Sequence, residues 1–296
     1  MRPQDDGGLS VAATIGLAGG IVALLVLVVL LVVALSPAST SHESASSTPG
    51  TPSTSAFAAA ASSITHVPAS TLDSVGIGGK AASSQTTANP LNLATGTRAD
   101  LPKISGKPVL FFFGAEWCPF CAAERWSLII AVSRFGELKG LEPAASSAND
   151  YAPNTQTFSL RSATYVSSYL ALASVEVQDE NKNTLQNPNA AETKVLKAWD
   201  PAGEFPFIDL AGRYIGGLPA WDDPLAMTGM SRTAIAAAAN DANSRIGATI
   251  DANANYLTAG ICAVDGGRPA AVCTSPAVAA AARELTHVPD ALPFTG

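Results

Sequence analysis

Pro108-Val109-Leu110-Phe111-Phe112-Phe113-Gly114 runs directly into Ala115-Glu116-Trp117-Cys118-Pro119-Phe120-Cys121, and this stretch decides how the chain is read. Its first half is apolar at every position and bounded by turn residues, the pattern of a strand covered on both faces. Residues 122–135 follow, with Trp126, Ile129 and Ile130 at helical spacing. The order is therefore strand, tight turn, helix, with two cysteines at the helix start. The first turn of a helix offers backbone N–H groups without intrahelical partners and a partial positive charge. A cysteine placed there has its thiolate stabilised and its pKa lowered. The two-residue spacing brings the second sulfur within disulfide reach of the first. Pro119 costs nothing in the first helical turn, where its N–H would have had no partner. Cys118 is thus expected to be the nucleophile and leaving thiolate, and Cys121 the resolving thiol. A structural zinc site would need a second ligand pair, and the separation of Cys262 from Cys273 is unlike zinc-ribbon spacing. No metal and no cofactor is expected. A purely structural Cys118–Cys121 bridge would close too small a loop to contribute much entropy.

The run from Phe111 to Cys121 resembles the active-site strand and turn of the thioredoxin superfamily. The resemblance spans residues 107–217 and implies an α/β fold, a mixed central sheet flanked by helices, and thiol–disulfide exchange at Cys118 and Cys121. It also implies a cis-proline facing the cysteines at the start of the next-to-last core strand. Pro206 takes that place, in Phe205-Pro206-Phe207-Ile208-Asp209-Leu210 with Gly212 and Arg213-Tyr214-Ile215-Gly216-Gly217 following. Trp117, Pro119, Phe120 and Phe205 are then expected to contact the substrate, the Phe205 backbone pairing with an extended segment. The layout is also similar to a family of membrane-anchored extracytoplasmic thioredoxin-like proteins. Three features depart from the pattern. Phe112 stands where thioredoxins carry a buried Asp; Glu116 or Glu124 could replace it, although each is expected on the solvated surface. The dipeptide between the cysteines is Pro-Phe rather than Gly-Pro, closer to the disulfide-forming extracytoplasmic branch. Residues 136–187 exceed a minimal thioredoxin, which implies an inserted strand pair or loop.

Further elements follow from pattern. Residues 157–160 and 169–177 read as strands, and residues 189–199 as a helix closed by Asp200-Pro201. Residues 205–210 and 213–215 flank Ala211-Gly212 as a hairpin. The Ala-rich residues 230–257 read as one long helix, opening a C-terminal helical extension over 230–296. Beyond it, Gly266-Gly267 and Arg268-Pro269 let the chain double back between Cys262 and Cys273. A structural disulfide there would stabilise by about 2–3 kcal/mol and would need an oxidising compartment. The alternative is a relay exchanging with Cys118 and Cys121.

The rest of the chain sets the location. Only 14% of its 296 residues are charged, against about 25% in ordinary globular proteins. The net charge of −7 argues against a nucleic-acid partner, since phosphate neutralisation needs clustered Lys and Arg. Residues 9–35 are apolar save Ser10 and Thr14. As a helix they would measure roughly 40 Å, enough to cross a hydrocarbon core of about 30 Å. An uncleaved anchor is favoured over a cleaved signal, whose apolar region is usually about 7–15 residues. Residues 1–8 form a cytoplasmic tip with Arg2, and no Lys or Arg follows the segment before Lys80, so the bulk is expected outside. Residues 36–63, mostly Ser, Thr, Ala and Pro, are expected to be a flexible linker, and residues 64–296 the thioredoxin-like domain. The whole is expected to be a single-pass protein of the cell membrane whose partners are cysteine-containing envelope proteins and a membrane or soluble redox partner. A reading of a different class is a non-catalytic adaptor or redox sensor that keeps the fold and binds an envelope partner.

Overall fold

The computed structural model describes residues 54–78, 91–94, 99–217 and 224–285. Its centre is a five-stranded mixed sheet. Strand β1 is Leu91–Leu93 and β2 is Val109–Gly114. Four short strands follow: β3 (Gly136–Lys139), β4 (Glu142–Ala145), β5 (Gln156–Ser159) and β6 (Thr164–Ser167). Then come β7 (Ala171–Glu176), β8 (Phe207–Leu210) and β9 (Tyr214–Gly216). The central order is β1-β9-β8-β2-β7. β2 runs parallel to β7, Gly114 opposite Glu176, and antiparallel to β8, Phe113 opposite Phe207. β8 and β9 form the hairpin expected around Ala211-Gly212, both residues holding positive φ (52° and 65°).

Alternation along the strands divides the core. Leu110, Phe112, Ile208, Leu210 and Tyr214 point to one face; Phe111, Phe113, Val175, Phe207 and Ile215 point to the other. The first face is covered by α3 (Pro119–Ser133) and by α6 (Arg245–Asp265), the second by Val195 and Leu196 of α4 (Ala190–Trp199). Helix α4 starts at a capping box: Asn189 accepts from the Glu192 N–H while the Glu192 carboxylate accepts from the Asn189 N–H. Helices α1 (Thr54–Thr65) and α2 (Ala69–Val75) precede the sheet, and α5 (Arg232–Ala238), α7 (Ala270–Cys273) and α8 (Pro276–Leu285) complete the C-terminal part.

Three expectations need correction. Residues 54–63 of the expected linker belong to α1. Phe57 packs on Phe158 at 5.6 Å between ring centroids, and Ala60 and Ile64 are buried. A run of Ala, a strong helix former, docks here because a few apolar side chains find a core. Residues 230–257 are not one helix. Ser231 caps α5 and Ser244 caps α6, each accepting a backbone N–H, and Asp241 accepts from the Asn243 N–H between them. Short polar side chains offer the backbone an alternative to helical bonding. A Cβ on Gly247 would run into the Ala238 carbonyl, so α5 and α6 meet backbone to backbone. Within residues 136–187 the chain forms two antiparallel ribbons, β3–β6 and β4–β5, but β7 is a strand of the central sheet. The expected strand at 157–160 thus lies in a ribbon. No helix among the described residues is long and apolar enough to cross a membrane. Residues 9–35, where the anchor is expected, lie outside the described residues, as do residues 1–8.

One buried acid conflicts with the apolar layer around it. Asp209 of β8 is fully buried; one carboxylate oxygen accepts from the Gly212 N–H at 2.8 Å and the other has no hydrogen-bond partner. Burial pushes its carboxyl up to about 7, the Gly212 bond opposing and Asp100 adding to the rise. Between about pH 4 and pH 7 the folded chain therefore binds more protons than the unfolded one, and stability falls as pH rises. The full effect, present above pH 7, is at most about 4 kcal/mol at 1.36 kcal/mol per unit. Asp209→Asn keeps the acceptor and removes the titration. Urea unfolding should find it more stable than the parent at pH 8 and close to it at pH 4; a variant less stable at pH 8 would contradict this account.

Candidate functional site

The C-terminal end of β2 delivers the chain to the turn, and Gly114 allows the close fit there. A Cβ on it would lie 2.8 Å from the Phe112 ring and 3.1 Å from Cys121 Sγ. Cys118 then leaves the extended region (φ −76°, ψ 120°) as N-cap of α3, with Pro119 in the first helical turn. Its Sγ accepts the Cys121 backbone N–H at 3.2 Å, the place a serine or aspartate oxygen takes at an ordinary cap. Its carbonyl accepts the Ala122 N–H at 3.0 Å and opens the helical ladder. Both cysteines are free thiols. Cys118 keeps 4% of its surface exposed and Cys121 none.

The two thiols are driven apart. The Cys121 thiol donates to Cys118 Sγ and holds the Cys118 pKa below the usual cysteine value; the Cys121 and Phe120 amides and the Arg125 charge act in the same direction, against burial. Burial, together with hydrogen bonding to Cys118 and the charge there, pushes Cys121 well up, and Arg125 opposes the rise. One thiol is therefore prepared to ionise first while its neighbour holds a proton.

Arg125 is fully buried in α3, paired with the fully buried Glu176 at the end of β7: Nε donates to Oε1 at 2.8 Å and Nη2 to Oε2 at 2.6 Å. Nη2 also donates to the Ala115 carbonyl at 2.8 Å, which ties the ion pair to the cysteine turn. The guanidinium lies over the Phe112 ring at 5.6 Å. Where the resembled family has a strand acid, this chain has an aromatic ring with a cation above it. Glu116 and Glu124, expected on the surface, are both buried. Burial pushes the Glu116 carboxyl up, the Ser159 hydroxyl opposing. Charge prefers water, which is why a surface position is expected; Ser159 of β5 lies against Glu116, so the β4–β5 ribbon takes part in covering it.

The rim is aromatic. Trp117 packs edge-on against Phe205 at 5.8 Å, so the segment before Pro206 reaches the cysteine turn. The Phe205–Pro206 bond is cis, and Gly217 (φ 106°) lies so close to the Pro206 carbonyl that a Cβ could not fit. The Trp117 indole N–H donates to Gln178 at 3.0 Å, and the Lys182 ammonium stands 4.5 Å from the ring centroid. On the other side Phe120 stacks flat on Tyr151 (5.8 Å, 7°). Pro119 is buried and Phe120 half-buried. The structure thus gathers Trp117, Cys118, Pro119, Phe120, Cys121 and Phe205. Cys262 and Cys273 are bonded to each other (S–S 1.94 Å, eleven apart in sequence) beyond this site, across the end of α6 and α7.

Sequence reading missed Arg125, Glu176, Gln178 and Tyr151. For Glu176 a signal exists, the one charge in β7, at its end. Arg125 offers none, because α3 is buried on nearly every side and shows no polar stripe to depart from. No group of three or more His, Cys, Asp or Glu side chains that could hold a metal ion occurs among the described residues.

Residues 99–204, from before β2 to just past α4, match a family described as a domain of unknown function (DUF929). Comparison with curated proteins gave no match, and neither did comparison with solved structures.

The Arg125 charge can be tested at the thiol. Neutralising the pair together, as Arg125→Met with Glu176→Gln, should raise the pH midpoint of Cys118 alkylation. Arg125→Met alone strands the buried Glu176 charge and should cost about 3–5 kcal/mol in stability. An unmoved midpoint in the double variant would remove Arg125 from the electrostatics of the site.

Proposed function

We propose that the chain is a membrane-tethered, extracytoplasmic thiol–disulfide oxidoreductase with a thioredoxin-like domain. The observation that carries this reading is the Cys118 sulfur acting as helix cap, accepting the Cys121 N–H at 3.2 Å, with a second free thiol three residues on. The mixed central sheet flanked by helices, with a cis Phe205–Pro206 bond before β8, supports the thioredoxin-like reading. The Cys262–Cys273 bond supports an oxidising compartment, and the apolar residues 9–35 support a single membrane-spanning anchor.

The exchange follows from the asymmetry of the thiols. The Cys118 thiolate attacks one sulfur of a client disulfide; an S–S bond forms to Cys118, and the client's second sulfur leaves as a thiolate and takes up a proton. Cys121 gives up its proton and attacks Cys118 Sγ, closing the Cys118–Cys121 disulfide and releasing the client's remaining thiolate. Two electrons and two protons pass to the client. The reverse sequence oxidises a client dithiol, and a second dithiol or disulfide protein resets the pair. The clients are cysteine-containing envelope proteins. A second reading, a redox sensor or adaptor, is favoured by the 4% exposure of Cys118; a Cys118 thiol titrating near about 8.5, as free cysteine does, would select it.

Cys118→Ser should reduce insulin reduction, and reoxidation of a reduced client, to the uncatalysed background. Cys121→Ser should accumulate a client-linked species on a non-reducing gel, because the mixed disulfide has no resolving thiol. Retention of activity in Cys118→Ser would end the redox reading.

A further inference from the structure

The β4–β5 connection, residues 146–155, lies against the cysteine turn and holds one large apolar side chain into solvent. The Ser147 N–H donates to the Trp117 carbonyl at 2.9 Å, so the connection is hydrogen-bonded to the residue before Cys118. It is also tied to itself. Ser146 Oγ donates to the Ala152 carbonyl at 2.7 Å and accepts the Thr155 N–H at 2.9 Å, and Thr155 Oγ1 donates to Ala152 at 3.0 Å. Ser146, Ala152 and Thr155 are buried. From this anchored base Tyr151 stands 54% exposed, its ring parallel to that of Phe120, the residue just before Cys121.

We infer that Tyr151 and Phe120 form a preorganised recognition platform for an apolar side chain flanking the reactive cysteine of an extended client segment. This rests on the redox reading above and names its substrate class. The occupant is set by the chemistry: what contacts this platform while its sulfur is bonded to Cys118 is client chain within a few residues of that cysteine. Cys118 keeps 4% of its surface exposed, so a client disulfide must approach it past the residues of the turn. Cys118 lies in sequence between Trp117, which carries Phe205, and Phe120, which carries Tyr151. An aromatic ring held by an ordered loop adds contact area with little entropy to lose on binding. Exposed tyrosines beside a desolvated centre are common binding anchors.

The test uses the full chain, with Tyr151→Ala and Tyr151→Phe as variants. The disulfides offered are hydroxyethyl disulfide and two mixed-disulfide peptides identical except for Leu or Ser on either side of the central cysteine. The parent should prefer the Leu peptide. Tyr151→Ala should lose about tenfold in kcat/KM on it, the size of one aromatic contact, and stay within twofold on the Ser peptide and on hydroxyethyl disulfide. Tyr151→Phe should keep the preference, and the pH midpoint of Cys118 alkylation should not move in either variant. Equal loss on all three disulfides, or a parent without preference, overturns the platform while leaving the redox reading intact. A parent that turns over none of the three overturns both.

Discussion

A sulfur in the role of a helix cap is the constraint from which the rest of the site follows. Cys118 satisfies the Cys121 N–H that the start of α3 would otherwise leave without a partner, and the cap geometry holds Sγ toward the helix end. The interaction binds the anion better than the neutral thiol, so the same bond that begins the helix also acidifies the cysteine. It needs a strand that ends in one fixed place. β2 provides this because it is paired on both sides and buried along its whole length. It also needs the room that Gly114 leaves beside Cys121.

Below the cap sits a buried ion pair, which by itself is weak evidence of stability, since desolvating two charges can exceed their attraction. Arg125 and Glu176 recover part of that loss through two direct bonds and the Ala115 carbonyl. What the arrangement does supply is a fixed positive field reaching both sulfurs. The resembled family places an acid on the strand, at the position of Phe112 here. In this chain the buried acid beside the turn, Glu176, stands on the neighbouring parallel strand and is paired with Arg125 of the helix. Phe112 fills the intervening space with a ring whose face suits the guanidinium.

These charges mark the boundary of what could be read from the chain. An all-apolar run states its own burial, so β2 and its two-sided cover were legible, as was the hairpin through the turn chemistry of Ala211-Gly212. The cysteine spacing was legible because it reports a local geometry. Arg125 and Glu176 were not, because each is buried by elements distant in sequence and no local periodicity records a partner 51 residues away. α1 escaped for a related reason: its composition resembles a tether, and only the docking of Phe57 on Phe158 makes it a packed helix. The break between α5 and α6 was present in Asn240, Asp241, Asn243 and Ser244, but was outweighed by the surrounding alanines.

Burial at the thiols carries a consequence for selectivity. A lowered pKa increases the thiolate fraction but lowers its intrinsic nucleophilicity, so acidity alone does not choose a partner. The aromatic rings beside the cysteine turn belong to different parts of the chain: Trp117 and Phe120 to the turn, Phe205 to the segment before β8, Tyr151 to the β4–β5 connection. That ribbon is bound to α3, Thr157 Oγ1 donating to the Ala122 carbonyl and the Trp126 indole N–H to the Gln156 carbonyl. The acidified sulfur and the ring beside Phe120 are thus held by one framework: the Cys121 thiol, the amides at the start of α3 and Arg125 act on Cys118, and the ribbon packed on the same helix holds Tyr151.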